Sequence, residues 1–219
     1  MLQTQTITKE TFELLTTLMQ DERLKHFNLV GGTALALYMG HRKSIDIDLF
    51  TQYFFDVDEI KDYLMHAYNF QMDRQTDATL IGHIDAIKID CIRYNYPLVE
   101  PLLNENGFRI YSISDIAAMK LTAISQSGSR LKDFVDVAFM STRLSLNDML
   151  NAFRIKFPKT NIMSAIRGLT YYDDINFFVE ISLIEGIFKW KLIEKRLKEM
   201  IKYPDKIFLK NPIITDSRK

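Results

Sequence analysis

The stretch Leu29-Val30-Gly31-Gly32-Thr33-Ala34-Leu35-Ala36-Leu37, followed after a short gap by His41-Arg42-Lys43-Ser44-Ile45-Asp46-Ile47-Asp48-Leu49-Phe50, decides how this chain is read. Phe27 to Val30 is a short apolar run that stops at two glycines. Glycine lets a chain turn sharply and lets a ligand approach the backbone, so the pattern predicts a strand and a tight turn. Thr33 to Met39 is rich in Ala and Leu, which predicts a short helix with Thr33 as its cap and N–H groups directed at an anion. From Ile45 to Phe50 the residues alternate, so Ile45, Ile47 and Leu49 point one way and Asp46 and Asp48 the other. The Cα atoms of the two aspartates then lie roughly 6.5–7 Å apart, and one divalent ion can bridge their carboxylates. Mg²⁺ is commonly held by one or two protein carboxylates together with substrate phosphates. By itself an Asp-x-Asp pair is a weak signal, since a solvated edge strand shows the same letters; the glycine turn upstream strengthens it.

Working outward, Arg42 and Ser44 precede the acidic strand and offer a bidentate partner for phosphate or carboxylate and a hydroxyl donor. Downstream, Ile87-Lys88-Ile89-Asp90-Cys91-Ile92 places Asp90 inside an apolar strand. A buried charge is costly unless paired or metal-bound, so Asp90 is expected as a third carboxylate of the cluster. Helices are predicted over Thr8–Met19 and Val57–Tyr68, and strands over Ala78–Ile84 and Ala86–Tyr94 with a turn near Asp85. Beyond Ser112 strand signals fade. Ser112 or Ser114 can cap a helix through Ser125, and helices are predicted at Arg130–Met140, Leu146–Phe157, Ile162–Leu169, Asp174–Ile184 and Lys189–Ile201. The expected fold class is α+β: mixed strands and helices over residues 1–110, then a helical region over 111–219.

Composition narrows the function classes. With 47% apolar and 26% charged residues in 219, the chain resembles an ordinary folded protein able to bury its own core. Its one cysteine, Cys91, cannot form an internal disulfide and is expected as a small buried hydrophobe, which points to the cytoplasm. No apolar run reaches the ~18 residues of a membrane span, and no signal-peptide pattern opens the chain. His26, His41, His66 and His83 show no metal-ligand spacing, which leaves a hydrolytic triad or a zinc site without support. The aromatic pairs Tyr53-Phe54-Phe55, Tyr171-Tyr172 and Phe177-Phe178 are expected mainly in cores. Net charge is zero, yet residues 189–219 carry ten Lys/Arg against four Asp/Glu. That basic end is either a solvated helix face or a nucleic-acid contact.

The two quoted stretches closely resemble the AbiEii/AbiGii toxin family of nucleotidyltransferases. A second block is similar to the same family: Asp115-Ile116-Ala117-Ala118-Met119-Lys120-Leu121-Thr122-Ala123-Ile124, then Arg130-Leu131-Lys132-Asp133-Phe134-Val135-Asp136-Val137. The resemblance covers roughly residues 29–140 and implies the polymerase-β-like nucleotidyltransferase fold. It further implies transfer of a nucleoside monophosphate from an NTP, with Mg²⁺ or Mn²⁺ on Asp46, Asp48 and Asp90. Gly31, Gly32, Thr33, Arg42, Ser44, Lys120, Lys132 and Asp133 are the implied nucleotide-binding residues, and Asp46, Asp48, Asp90, Lys120 and Asp136 the implied catalytic ones. Asp133 and Asp136 share one helix face by their spacing; without the resemblance Lys132-Asp133 reads as a solvated pair. The first two helices after residue 110 are expected to close the active site. Family membership also implies a cognate antitoxin, a role in phage defence and an RNA acceptor such as tRNA, docked on the basic segment 189–219. The rival readings are a small-molecule nucleotidyltransferase of the antibiotic-modifying kind and a catalytically silent NTP- or partner-binding protein.

Overall fold

The computed structural model describes residues 1–214. In chain order the elements are α1 (Lys9–Gln20), β1 (Asn28–Val30), α2 (Gly31–Met39), β2 (Ile47–Thr51), α3 (Val57–Tyr68), β3 (Gln71–Thr76), β4 (Thr79–Ile84), β5 (Ile87–Arg93), β6 (Leu103–Glu105), β7 (Phe108–Ile110), α4 (Ile113–Gln126), α5 (Leu131–Met140), α6 (Leu146–Lys156), α7 (Ile162–Gly168) and α8 (Trp190–Lys202). The described residues form an α+β protein with a seven-stranded mixed sheet and eight α-helices. They divide into two units: Met1–Tyr38, Ser44–Tyr96 and Pro101–Tyr111 in the first, and Met39–Lys43, Pro97–Glu100 and the chain from Ser112 onward in the second.

The first unit is built on the sheet, in the order β3-β4-β5-β2-β1-β7-β6. β2 sits centrally, antiparallel to β1 and parallel to β5, because its alternation buries Ile47, Leu49 and Thr51 on one face and leaves Asp48 half-buried on the other. Burying a side chain the size of Ile47 or Leu49 stabilises the fold by roughly 1.5–3 kcal/mol. Ile45 lies ahead of the strand and is 52% exposed, so the alternating run is shorter at its start than the sequence predicts. β5 repeats the pattern, with Ile87, Ile89 and Cys91 buried and Lys88 and Asp90 on the opposite side. Cys91 is buried as expected, and burial pushes its thiol up to about 12. α1 and α3 start at the caps Thr8 and Asp56, which accept from backbone N–H groups one turn on. α2 begins at Gly31, two residues before the predicted cap; Thr33 lies inside its first turn.

Three strands escaped the sequence pattern. β3 is an edge strand of almost wholly polar, exposed residues, with no apolar alternation to mark it. β6 and β7 form a hairpin of three residues a side around Asn106-Gly107, both at positive φ, which the Asn-Gly pair signals.

The second unit is helical. α4 is its centre, packing against α5, α6 and α7, with α8 against α5. Ser112 is the residue that caps α4, accepting from Asp115 N, and a reciprocal Ser145–Asp148 box opens α6. Ala117 and Ala118 are buried with Ile116, Leu121 and Ile124, and such small side chains let neighbouring helices come close. The helix predicted over Asp174–Ile184 does not form. Its backbone is drawn into long-range hydrogen bonds instead: Asn176 N to Ser129 O, Lys43 N to Ser182 O and Ile184 N to His41 O. Arg42 and Leu183 form an isolated antiparallel bridge in the same segment. No helix among the described residues is long and apolar enough to cross a membrane.

Candidate active site

The candidate residues fall into two groups, one within each unit. In the first unit, Val30 of β1 and Asp90 of β5 are the register partners of Asp48 on β2, so Asp48 and Asp90 stand side by side on one face of the sheet. Gly31 follows Val30 at φ +70 and swings the chain from β1 into α2. A methyl group built on Gly31 would overlap Asp48 Oδ2, so only glycine admits this carboxylate against the turn. Gly32 is half-buried in the first turn of α2. The acidic strand is thus packed directly on the N-terminus of a nine-residue helix, where backbone N–H groups and the helix dipole favour negative charge.

Thr33 is fully buried, and its hydroxyl donates to the carbonyl oxygen of Asp46 with Ser44 Oγ 2.9 Å away. Its role is therefore to tie α2 to the segment that enters β2, not to cap the helix. Ser44 and Asp46 are half-buried in that segment. Asp90 is 13% exposed and meets Lys88, whose Nζ lies 2.7 Å from Oδ1 and 2.8 Å from Oδ2. Among the described residues no three His, Cys, Asp or Glu side chains converge into a metal-holding group. Asp48 and Asp90 are neighbours by strand register and Asp46 lies in the segment just ahead of β2, without forming a closed cage.

In the second unit a buried ionic network joins segment 39–43 to α4 and α5. Asp136, fully buried, accepts from His41 Nε2 (2.9 Å), Arg42 Nε (2.7 Å) and Arg42 Nη2 (2.9 Å), and Lys120 Nζ lies 2.8 Å from Oδ2. Lys120 Nζ also donates to Asp133 Oδ1 at 2.6 Å, and Arg130 approaches Asp133 from the rim at 3.7 Å. Burial alone would raise the Asp136 carboxyl, but the Arg42 and Lys120 cations hold it well below the usual carboxylate range. Burial works to lower the Lys120 ammonium, yet Asp136 and Asp133 outweigh it and leave the pKa raised. His41 is the exception: burial outweighs Asp136 and lowers its pKa, so the imidazole is neutral at pH 7. Its ring rests on Phe139, and its Nδ1 is buried without a hydrogen bond.

Several expectations change here. Arg42 takes a carboxylate partner, Asp136, in the bidentate geometry its guanidinium allows, and is 2% exposed. Asp136, expected among the catalytic carboxylates, has no exposed surface and is saturated by donors. Lys120 and Asp133 are 6% and 2% exposed, so the surface pair suggested by Lys132-Asp133 does not exist; Lys132 alone is half-buried at the start of α5. Asp115 of the second block is structural, receiving Val99 N, Ser112 Oγ and the buried Lys156 Nζ. Two site residues were missed. Lys88 is visible in the sequence as the i−2 neighbour of Asp90 on one strand face; His41 opens the second quoted stretch, but its pairing with Asp136, 95 residues away, carries no sequence signal. The basic end is less basic in space than in sequence: Arg196 is turned inward to Ser141 Oγ and Lys210 O and stacks on Phe208. Asp216, Arg218 and Lys219 lie outside the described residues.

Comparison with known proteins identifies the family of the chain. The family model described as the nucleotidyl transferase AbiEii toxin of type IV toxin–antitoxin systems matches residues 13–206. The uncharacterized protein aq_aa25 of Aquifex aeolicus is 34% identical over 154 residues, covering 68% of this chain and 74% of its own. Among solved structures, MenT4, the nucleotidyltransferase toxin Rv2826c of Mycobacterium tuberculosis, superposes with a TM-score of 0.60 at 15% identity, over 87% of this chain and 80% of that one. JHP933 of Helicobacter pylori reaches 0.54 at 16% identity, over 91% and 93%. At such identities the structural likeness establishes the fold, and the family match, spanning most of the chain, establishes the kind of protein. The chain belongs to the AbiEii nucleotidyl transferase toxin family and is an NTP-dependent nucleotidyltransferase.

Proposed function

We propose that this enzyme transfers a nucleoside monophosphate from an NTP to a hydroxyl of an RNA, of which tRNA is the leading candidate, with Asp46, Asp48 and Asp90 holding Mg²⁺ or Mn²⁺. The observation that carries the reading is Asp48, seated against Gly31 at the start of α2 and beside Asp90 on β5. The donor set is hard oxygen, which suits Mg²⁺, and Asp90 Oδ1 is buried without a hydrogen bond while an ammonium stands at the carboxylate. These residues fit a metal whose remaining ligands come from phosphate and water. When bound, the ion supplies charge neutralisation at the phosphates and at the attacking oxygen.

The chain's own groups do the rest. Gly31 and Gly32 bring the N-terminus of α2 to the triphosphate, whose charge the backbone N–H groups and dipole offset. Thr33 fixes the Asp46 carbonyl and so the direction of that side chain. Asp90 takes the proton of the acceptor hydroxyl as its oxygen bonds to the α-phosphorus; the bond from that phosphorus to the bridging oxygen breaks, and pyrophosphate leaves with the electron pair. Lys120, Asp133 and Asp136 act as positioning residues: Asp136 fixes Arg42 and Lys120 in place.

An RNA acceptor is supported by α8, where Lys191, Lys195, Lys198 and Lys202 recur at helical spacing on one face. Two glutamates temper it, Glu194 at 2.5 Å from Lys198 and Glu199 at 3.9 Å from Lys195. The toxin–antitoxin family description supports a cognate antitoxin as a further partner. The decisive experiment incubates the protein with each labelled NTP, Mg²⁺ and total RNA. Label enters RNA and Asp46→Ala abolishes it; no label with any NTP, or undiminished label in Asp46→Ala, overturns the reading. Reversing Lys191, Lys195 and Lys198 to Glu tests the dock, since unchanged activity overturns α8 as the RNA contact.

A further inference from the structure

Lys88 stands two residues before Asp90 on β5, so both side chains leave the same face of the sheet. Its ammonium is centred on the fork of the carboxylate, 2.7 Å from Oδ1 and 2.8 Å from Oδ2. Both carboxylate oxygens are thus in charge contact with the one ammonium. The two partners are unequal: Asp90 is 13% exposed and held in a strand, whereas Lys88 is 39% exposed on a flexible four-carbon stem. One can leave for water at little cost; the other cannot.

We propose that Lys88 is a displaceable counter-ion for Asp90, occupying in the metal-free enzyme the charge position that a divalent cation takes over. The inference rests on the metal reading above. A compact ammonium neutralises and aims the third carboxylate beside Asp48. Because it must be expelled before Asp90 can face a metal, it lowers the metal affinity of the free protein. Lys88 is thus a positioning residue that acts through Asp90, and it keeps three neighbouring carboxylates from repelling one another when no metal is present.

The test titrates Mn²⁺ alone into the full chain and reads free Mn²⁺ by electron paramagnetic resonance, without nucleotide or turnover. Lys88→Met should bind Mn²⁺ about two- to fivefold more tightly, the size set by a half-exposed ion pair. Lys88→Arg should stay near the parent, and adding Lys88→Met to Asp90→Asn should change nothing. Lys88→Gln, a polar replacement, repeats the measurement should Lys88→Met not fold. If the Lys88 variants bind Mn²⁺ no more tightly while Asp48→Asn binds it less well, the counter-ion role is wrong and the metal site stands. If Asp48→Asn binds Mn²⁺ like the parent, the metal reading falls and this inference with it.

Discussion

Two clusters of charge in this protein use the same residue types to opposite ends. The group on the sheet combines Asp46, Asp48 and Asp90 with one ammonium, Lys88, and its members are half-buried. The network in the helical unit sets Arg42 and Lys120 against Asp133 and Asp136, with a neutral His41, and is almost fully buried. The first gathers three carboxylates near water, the condition for recruiting a cation. The second is charge-balanced and closed, the only condition under which buried ions are tolerated. Aspartate alone therefore says little about chemistry; the balance and exposure around it decide whether it binds a ligand or holds the chain together.

The contrast can be broken most severely at Asp136. Asp136→Asn leaves Arg42 and Lys120 buried without their shared carboxylate, and should lower unfolding stability by about 3–5 kcal/mol, read by urea denaturation. Asp48→Asn should do the reverse: at a half-buried strand position it costs about 1 kcal/mol of stability while nucleotidyl transfer falls by roughly 10²–10³-fold. A comparable stability loss in both variants would erase the distinction.

Gly31→Ala sharpens the sheet side of the comparison. A side chain at φ +70 is strained and meets Asp48, so a loss of about 1–3 kcal/mol is expected, together with weaker Mn²⁺ binding as the carboxylate is pushed aside.

The smallest effect is a dependence on pH, and it belongs to the buried network. The folded pKa of His41 lies below 6.5, so as pH falls from about 6.5 toward the folded value the unfolded chain takes up a proton that the folded chain refuses. Stability should fall over that window by up to about 1.4 kcal/mol per pH unit, and His41→Gln should flatten it. Asp136 is shifted in the same direction at a lower pH: its contribution is present above about pH 3.9 and is lost as pH drops further toward its folded value. The two windows are separable in denaturation curves taken at a series of pH values.

Much of the molecule was open to inspection in the residue order. Thr8 and Ser112 announce helices because capping is a local hydrogen bond between neighbours, and Asp85 marks the β4–β5 turn because it takes a positive φ that aspartate tolerates. The Asp46-x-Asp48 alternation and the Gly31-Gly32 turn were equally visible, because a strand face and a positive φ are properties of a few consecutive residues. What stayed hidden was whatever distant partners decide. β3 has no pattern of its own and exists because β4 offers it an edge; Asp174–Ile184 has helical spacing but exchanges it for hydrogen bonds to Ser129, His41 and Lys43.

The same division runs through the site. Sequence alone determined that Asp48 lies on the polar face of a strand and that a glycine turn precedes it, since both follow from backbone geometry over a few residues; Asp46, expected on the same strand, lies in the segment just ahead of it. Only the tertiary structure decided that Asp48 rests on Gly31, that Asp90 stands opposite it with Lys88 upon it, and that Arg42, Lys120, Asp133 and Asp136 lock together out of reach of water. Strand register and burial join residues tens of positions apart, and they set the free energy of each charge.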